Sequence, residues 1–201
     1  MENKLKQSIL LTIKRKQINE KTRSILLKNQ NKDEVLAILK DLNIPVSETN
    51  VERVSLEYNM LNILTDLLKQ SNGNFETAER GIIVLDKFEK YADNKNNIVL
   101  SDKLSEESRK YSIYEQRKKI WKKQNILLLY LIGTIIPVKY EGREYKFDTS
   151  KLTFICMDNY PELFNEECTL NDYINKGYFE ELLVHLEFLP NNNEAIKRHI
   201  K

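Results

Sequence analysis

Asp86 stands at the end of a short continuous apolar run, Ile82, Ile83, Val84 and Leu85, that opens after Gly81. Such a run predicts a strand buried on both faces of a parallel sheet. In open α/β sheets, ligands gather at the carboxyl ends of these strands. Sites of phosphoryl transfer keep an Asp there for the metal, with a further group that orients water. Here the residue after Asp86 is Lys87, and the next carboxylate is Glu89. An ammonium beside Asp86 opposes Mg²⁺ by charge, and its pairing with Asp86 or Glu89 would leave the site self-neutralised. A strand-end Asp also serves to cap a following helix, and this plainer role is preferred. No catalytic residue and no metal ligand is therefore expected.

A second segment with chemical potential is 28–34, K-N-Q-N-K-D-E, which lies between a short apolar strand at 24–27 and a helical pattern ending at Leu42. Strand, polar turn and helix is the setting of a phosphate-binding loop. Such a loop needs glycines to turn several N–H groups inward, then a Lys and a hydroxyl at the helix start. The five glycines are Gly73, Gly81, Gly133, Gly142 and Gly177, none of them in this segment. Lys28, Asn31 and Lys32 occupy the loop position, but Asp33 stands where the hydroxyl belongs and would repel a phosphate. The segment reads as a plain connection.

The other reactive side chains are sparse. His185 and His199 have no Cys or Asp pattern near them and read as structural or surface groups. Cys156 lies in an apolar run and reads as inert packing. With Cys168 it forms no metal-binding spacing, and no signal peptide opens the chain, so reduced thiols in the cytoplasm are expected.

The elements that must position these groups can be read from periodicity. The 201 residues, 41% of them hydrophobic, suffice for one domain with a core. A helix is predicted over 5–18 from Leu5, Ile9, Leu10 and Ile13, with a solvated basic face. Residues 44–46 predict a brief second strand, and 56–70 a helix with Met60, Ile63, Leu64, Leu67 and Leu68 inward. Phe88, Tyr91 and residues 93–97 are expected to leave the core, with 93–107 polar and mobile. Residues 111–123 mix Tyr111, Tyr114 and Trp121 with Arg and Lys, which suits base stacking. Net charge is only +2, from 32 basic and 30 acidic residues, so a helix with packed aromatics and solvated lysines is preferred. The run at 126–137 is too short to cross a bilayer and reads as buried helix up to Ile132. A hairpin over 136–147 turns at Glu141–Gly142. A strand at 152–157, a helix over 170–184 broken near Gly177, a strand at 186–189 and a terminal helix capped at 191–193 complete the chain. Strands alternating with helices predict an α/β fold.

Taken together, these segments resemble the large AAA+ domain of the ClpX family, the unfoldases of Clp proteases. Residues 79–90, E-R-G-I-I-V-L-D-K-F-E-K, are similar to that family's A-Q-R-G-I-V-Y-I-D-E-I-D-K. Residues 62–68, N-I-L-T-D-L-L, resemble N-I-L-x-K-L-L, and 124–134 resemble Q-Q-A-L-L-K-L-I-E-G-T. The most specific run is 148–156, D-T-S-K-L-T-F-I-C, against D-T-S-K-I-L-F-I-C. Residues 172–190 resemble D-L-I-K-F-G-L-I-P-E-F-I-G-R-L-P, and 24–46 fit the strand, loop and helix of the ATP site with a shortened loop. The similarity covers most of the chain in the family's order.

The resemblance implies a single large domain over 1–201, built as a three-layer AAA+-like sandwich with a central, mainly parallel sheet and a hairpin insertion. It also locates departures. Asp86, Lys87 and Glu89 fall on a vestigial Walker B site, and Lys28, Asn31, Lys32 and Asp33 on a vestigial P-loop. Asn159 falls on the sensor-1 position and His185 on the arginine finger, whose planar cation a His does not replace. The pore-loop glycines and Tyr are missing near 54–57, and 159–172 leave no room for the peptidase-docking I-G-F loop. The zinc-binding N-terminal domain and the small C-terminal lid have no counterpart. With these losses the resemblance implies a pseudo-ATPase: no cofactor, ATP and Mg²⁺ only insofar as the degenerate site still holds them, no membrane, and a protein partner such as an active AAA+ subunit. A weakly ATP-binding unfoldase subunit and a nucleic-acid-binding protein using 111–123 are the alternatives.

Overall fold

The computed structural model describes residues 2–18, 24–28, 30–93, 98–159 and 168–189. The expected cap at 191–193, His199, the segment 160–167 and part of the polar stretch at 94–97 lie outside the described residues. The chain opens with α1 (Glu2–Gln17), β1 (Ser24–Lys28), α2 (Lys32–Lys40), β2 (Val46–Asn50), α3 (Leu56–Gln70) and α4 (Phe75–Glu79). It continues through β3 (Ile82–Asp86), a 3₁₀ turn at Phe88–Tyr91, α5 (Glu106–Ile132), and the hairpin β4 (Ile135–Tyr140) and β5 (Arg143–Asp148). A 3₁₀ turn at Thr149–Lys151 leads to β6 (Thr153–Asp158), α6 (Leu170–Asn175), α7 (Glu180–Leu183) and β7 (Leu186–Leu189).

Five strands pair in parallel in the order β2-β3-β6-β1-β7. Strand side chains alternate between faces, and each face has its own core. Ile25, Leu27, Val84 and Ile155 meet Ile9 and Ile13 of α1 and Val35 and Leu39 of α2. Leu26, Ile83, Leu85, Phe154 and Cys156 meet α3 and α5 through Ile63, Leu64, Leu67 and Leu127. Burial on both sides explains why β1, β3 and β6 are written as continuous apolar runs. The result is a three-layer α/β sandwich with a central parallel sheet, as expected from the alternation of elements. The hairpin β4–β5 forms a separate antiparallel pair with Val138 opposite Tyr145. It turns on Glu141 and Gly142, both at positive φ, the geometry that matches strand twist in a two-residue loop.

Several expectations are corrected. The second strand runs Val46–Asn50, beyond the predicted 44–46, because Pro45 has no N–H and only its carbonyl joins β3, accepting from Ile82 N at 2.9 Å. Its outer edge is covered by Gln70, whose side chain accepts from Val46 N at 2.9 Å and donates to Val46 O at 2.8 Å. Phe88 and Tyr91 do not leave the core: both are fully buried, with the Phe88 ring 5.1 Å from Tyr178 and 5.6 Å from Tyr91. The stretch after Asn97 is tied to α5, since Gln116 Nε2 donates to Val99 O at 2.7 Å and Val99 N donates to Gln116 Oε1 at 2.8 Å. The apolar run after Ile126 is only half buried: Leu127 and Leu131 face the core, while Leu129 and Ile132 are exposed. Nor do the aromatics of 111–123 pack, for Tyr111, Tyr114 and Trp121 are also exposed.

The motif similarities find a structural use. Thr149 Oγ1 accepts from Thr134 N at 2.9 Å, and Thr149 N donates to Thr134 O at 3.0 Å. Asp148 Oδ1 accepts from Ser150 N at 2.9 Å, and Gly133 backs onto Ser150, whose Cβ leaves no room for a side chain there. The Gly133–Thr134 and Asp148–Thr149–Ser150 motifs are thus one joint, fastening the end of α5 to the start of β6.

Candidate functional site

Chain connections divide at one place in the sheet. From β1 the chain passes over β6 and β3 to reach β2 at one edge, whereas from β6 it passes over β1 to reach β7 at the other. The carboxyl ends of β1 and β6 therefore flank the topological switch point, where ligands of open α/β sheets bind. Lys28 and Asp158 are register partners there. Asp158 is 2% exposed and accepts a hydrogen bond from the Tyr178 hydroxyl at 2.9 Å. Asp86 ends the next strand.

Lys28 ends β1 at this end of the sheet, and Asn31, Lys32 and Asp33 follow at the start of α2, where Asn31 and Lys32 are engaged by groups of the chain itself. Asn31 caps α2: its side-chain oxygen accepts from Asp33 N at 2.8 Å, taking one N–H that a phosphate would need. Asp33 and Glu34 add two negative charges to the first turn. Lys32 Nζ sits 3.0 Å from Glu48 Oε2 on β2. Its ammonium is held above the ordinary Lys value by that hydrogen bond first, then by the charges of Glu48, Asp86 and Asp33. The cation that neutralises this corner is thus Lys32. Lys87 forms no ion pair with Asp86 or Glu89 among the described residues, so the self-neutralising arrangement weighed above is not formed.

Asp86 does not cap the turn that comes after it. Its Oδ2 takes only a long contact of 3.5 Å from Asn50 Nδ2, at the weak limit of hydrogen bonding. Lys87 intervenes in the left-handed region, at φ 64° and ψ 40°, a conformation that costs about 1–2 kcal/mol without glycine. Packing of Phe88 against Tyr91 and Tyr178 holds it there. Glu89 Oε2 accepts from the backbone N–H of Asn159 at 3.2 Å, joining the turn after β3 to the end of β6. Lys90 turns to Glu52 at 3.4 Å.

His185 is not part of this cluster. It precedes β7, and its carbonyl accepts from Ser24 N at 3.0 Å at the amino end of β1. The length of a strand, about 13 Å for four residues, separates it from the crevice. The sequence reading missed Glu48, Asn50 and Tyr178. Nothing in the spacing of Glu48 or Tyr178 signals a partner 16 or 20 residues away in the chain. Cys168 is 5% exposed, and its thiol is pushed up to about 11, by burial first. Cys156 is fully buried, and burial raises its thiol further. Among the described residues, no group of three or more His, Cys, Asp and Glu side chains is arranged to hold a metal. A cleft of about 630 Å³ lies elsewhere, along the outer edge of β2 between Leu36, Lys40, Pro45 and Gln70. Two of its polar groups, Gln70 and the Val46 main chain, already bond each other. No helix among the described residues is long and apolar enough to cross a membrane.

Compared with known proteins, the chain matches no family model and no curated protein. Among the described residues, the arrangement orients polar groups at a switch point, with the Asp33 amide taken by Asn31 and the Lys32 ammonium by Glu48.

Proposed function

We propose that the chain is a ClpX-related AAA+ pseudo-ATPase, a non-catalytic subunit that binds and regulates other proteins, among them active AAA+ or Clp components, in the cytoplasm. The observation that carries this reading is the closure of the α2 N-terminus on itself. Asn31 fills an amide that a phosphate would take, and Glu48 takes the Lys32 ammonium. A triphosphate would have to displace the Asn31 cap and compete with the carboxylates of Glu48, Asp86 and Asp33. Phosphoryl transfer further requires a water-orienting group and a trans cation, and these positions hold Lys87 and His185. The parallel sheet with β1 beside the switch point is compatible with descent from a nucleotide-binding scaffold.

Titration with labelled Mg·ATP, coupled to mass measurement, tests the reading. It predicts no saturation at millimolar nucleotide and no nucleotide-dependent assembly. Saturable binding with hydrolysis would replace it with the weakly ATP-binding unfoldase alternative.

A further inference from the structure

Among the described residues, much of the outer face of α5 is exposed. Tyr111, Tyr114, Trp121, Leu129 and Ile132 succeed one another at spacings that keep them on one side of a helix. They are 68%, 57%, 44%, 58% and 57% exposed. The stripe extends about 32 Å by the helical rise, and Ile135, 55% exposed, continues it past the helix end. Lys118 and Asn125 lie on the same side, between Tyr114 and Trp121 and between Trp121 and Leu129, so the face carries apolar groups with polar ones set among them. Isolated exposed apolar residues are ordinary, whereas a series of this length marks an interaction surface.

Two further features define what fits it. Trp121 is fixed rather than loose: its Nε1 donates to Asp93 Oδ2 at 2.8 Å, and Arg117 braces the same carboxylate at 3.3 Å. A rigid exposed Trp is the usual anchor of a binding hot spot. The helix is also basic, with seven Lys and Arg against three Glu over 106–132. Lys110 and Lys122 are engaged with Glu106 and Glu57. Lys118 and Lys119 are exposed and form no ion pair with any described residue.

We infer that this face docks an acidic amphipathic helix of a partner protein, apolar residues against the stripe and carboxylates against Lys118 and Lys119. Nucleic acid would use the aromatics and lysines but has no complement for Leu129, Ile132 and Ile135. Helix-on-helix docking uses apolar anchors three, four and seven residues apart, and the steps Tyr111–Tyr114, Tyr114–Trp121 and Leu129–Ile132 present three and seven. The inference deepens the reading of the chain as a protein-binding subunit and rests on it, but not on the state of the nucleotide corner.

The test uses the full chain and three probes. One is a 20-residue helical peptide with Leu at positions i, i+3, i+4 and i+7 and Glu elsewhere, one its Lys-substituted twin, and one a single-stranded 20-mer of DNA. The acidic peptide should bind at least tenfold tighter than the Lys twin and weaken as salt rises. Combining Leu129→Glu with Ile132→Glu, both at exposed positions, should weaken it at least tenfold at unchanged melting temperature. Lys118→Glu with Lys119→Glu should invert the preference between the two peptides. Equal binding of both peptides, DNA binding in place of peptide, or an unaffected double variant would each overturn the inference. So would a dimeric wild type made monomeric by the Leu129 and Ile132 changes, since the stripe would then serve a second copy. Saturable ATP binding would defeat the pseudo-ATPase reading while leaving these peptide results standing.

Discussion

The Lys32 ammonium lies 3.0 Å from the Glu48 carboxylate, linking the first turn of α2 to the edge strand β2. The side chains remain 35% and 49% exposed, so solvent screens the pair and its contribution is about 0–1 kcal/mol. Glu48→Gln should therefore lower the melting temperature only slightly at pH 7 and should not create ATP affinity, because Asn31 still closes the helix end. Lys32 is raised on folding, so its share of stability is complete below the unfolded Lys value of 10.5 and lost as pH rises through the folded value. The difference in melting temperature between wild type and Glu48→Gln should thus persist to pH 10 and shrink beyond it. A difference that grew with pH would contradict the assigned pairing.

Gln124 should matter more to stability than the Lys32–Glu48 pair. It is fully buried in α5, donates to Gly177 O at 2.9 Å and accepts from Phe179 N at 2.7 Å. Gln124→Leu leaves two main-chain groups without these partners, a loss of about 2–4 kcal/mol. For a chain of this size that is a fall of roughly 5–15 °C in melting temperature.

Gly177 has φ +95°, and a side chain there would run into the backbone of Asp93. Gly177→Ala should destabilise by about 3 kcal/mol or more, from strain and steric exclusion together. Thermal unfolding measures both changes, and a shift under about 2 °C in either variant would show that this joint is not as tight as described.

Neither thiol should react readily in the folded protein. Cys156 is fully buried, and Cys168 is 5% exposed with its thiol pushed up to about 11, so almost no thiolate forms near pH 8. Mass spectrometry after brief iodoacetamide treatment at that pH should find both unmodified, and both alkylated in denaturant. Rapid labelling of Cys168 in the native protein would mean that its surroundings open.

The parts of the fold that could be read in advance were those where one physical signal dominates. Ile82 to Leu85 is continuously apolar because both faces of β3 are covered, and Val138 and Tyr145 alternate with polar neighbours because the hairpin is covered on one side. The sequence V-S-E-T-N of β2 conceals its strand, since Ser47 and Thr49 are the inward residues and neither is apolar. The run at 126–132 misleads for the opposite reason: with apolar residues at nearly every position, its exposed members Leu129 and Ile132 cannot be told from its buried ones. Site geometry was less legible still. The proximity of Lys32 to Glu48 and of Glu89 to Asn159 depends on how strands are ordered, which local spacing does not encode. A pairing of Lys87 with Asp86 or Glu89 presupposes an ordinary backbone, and its left-handed conformation was not foreseeable from a Lys.

The central claim is that the Asp33 amide and the Lys32 ammonium at the start of α2 are already spoken for within the chain. Backbone amide resonances of Lys32, Asp33 and Val35, monitored by ¹H–¹⁵N correlation spectra during addition of Mg·ATP to millimolar excess, test it most directly. The account predicts that they stay in place, with Asp33 N–H still bonded to Asn31. Saturable shifts of those three resonances, centred on the Asp33 amide, would contradict it.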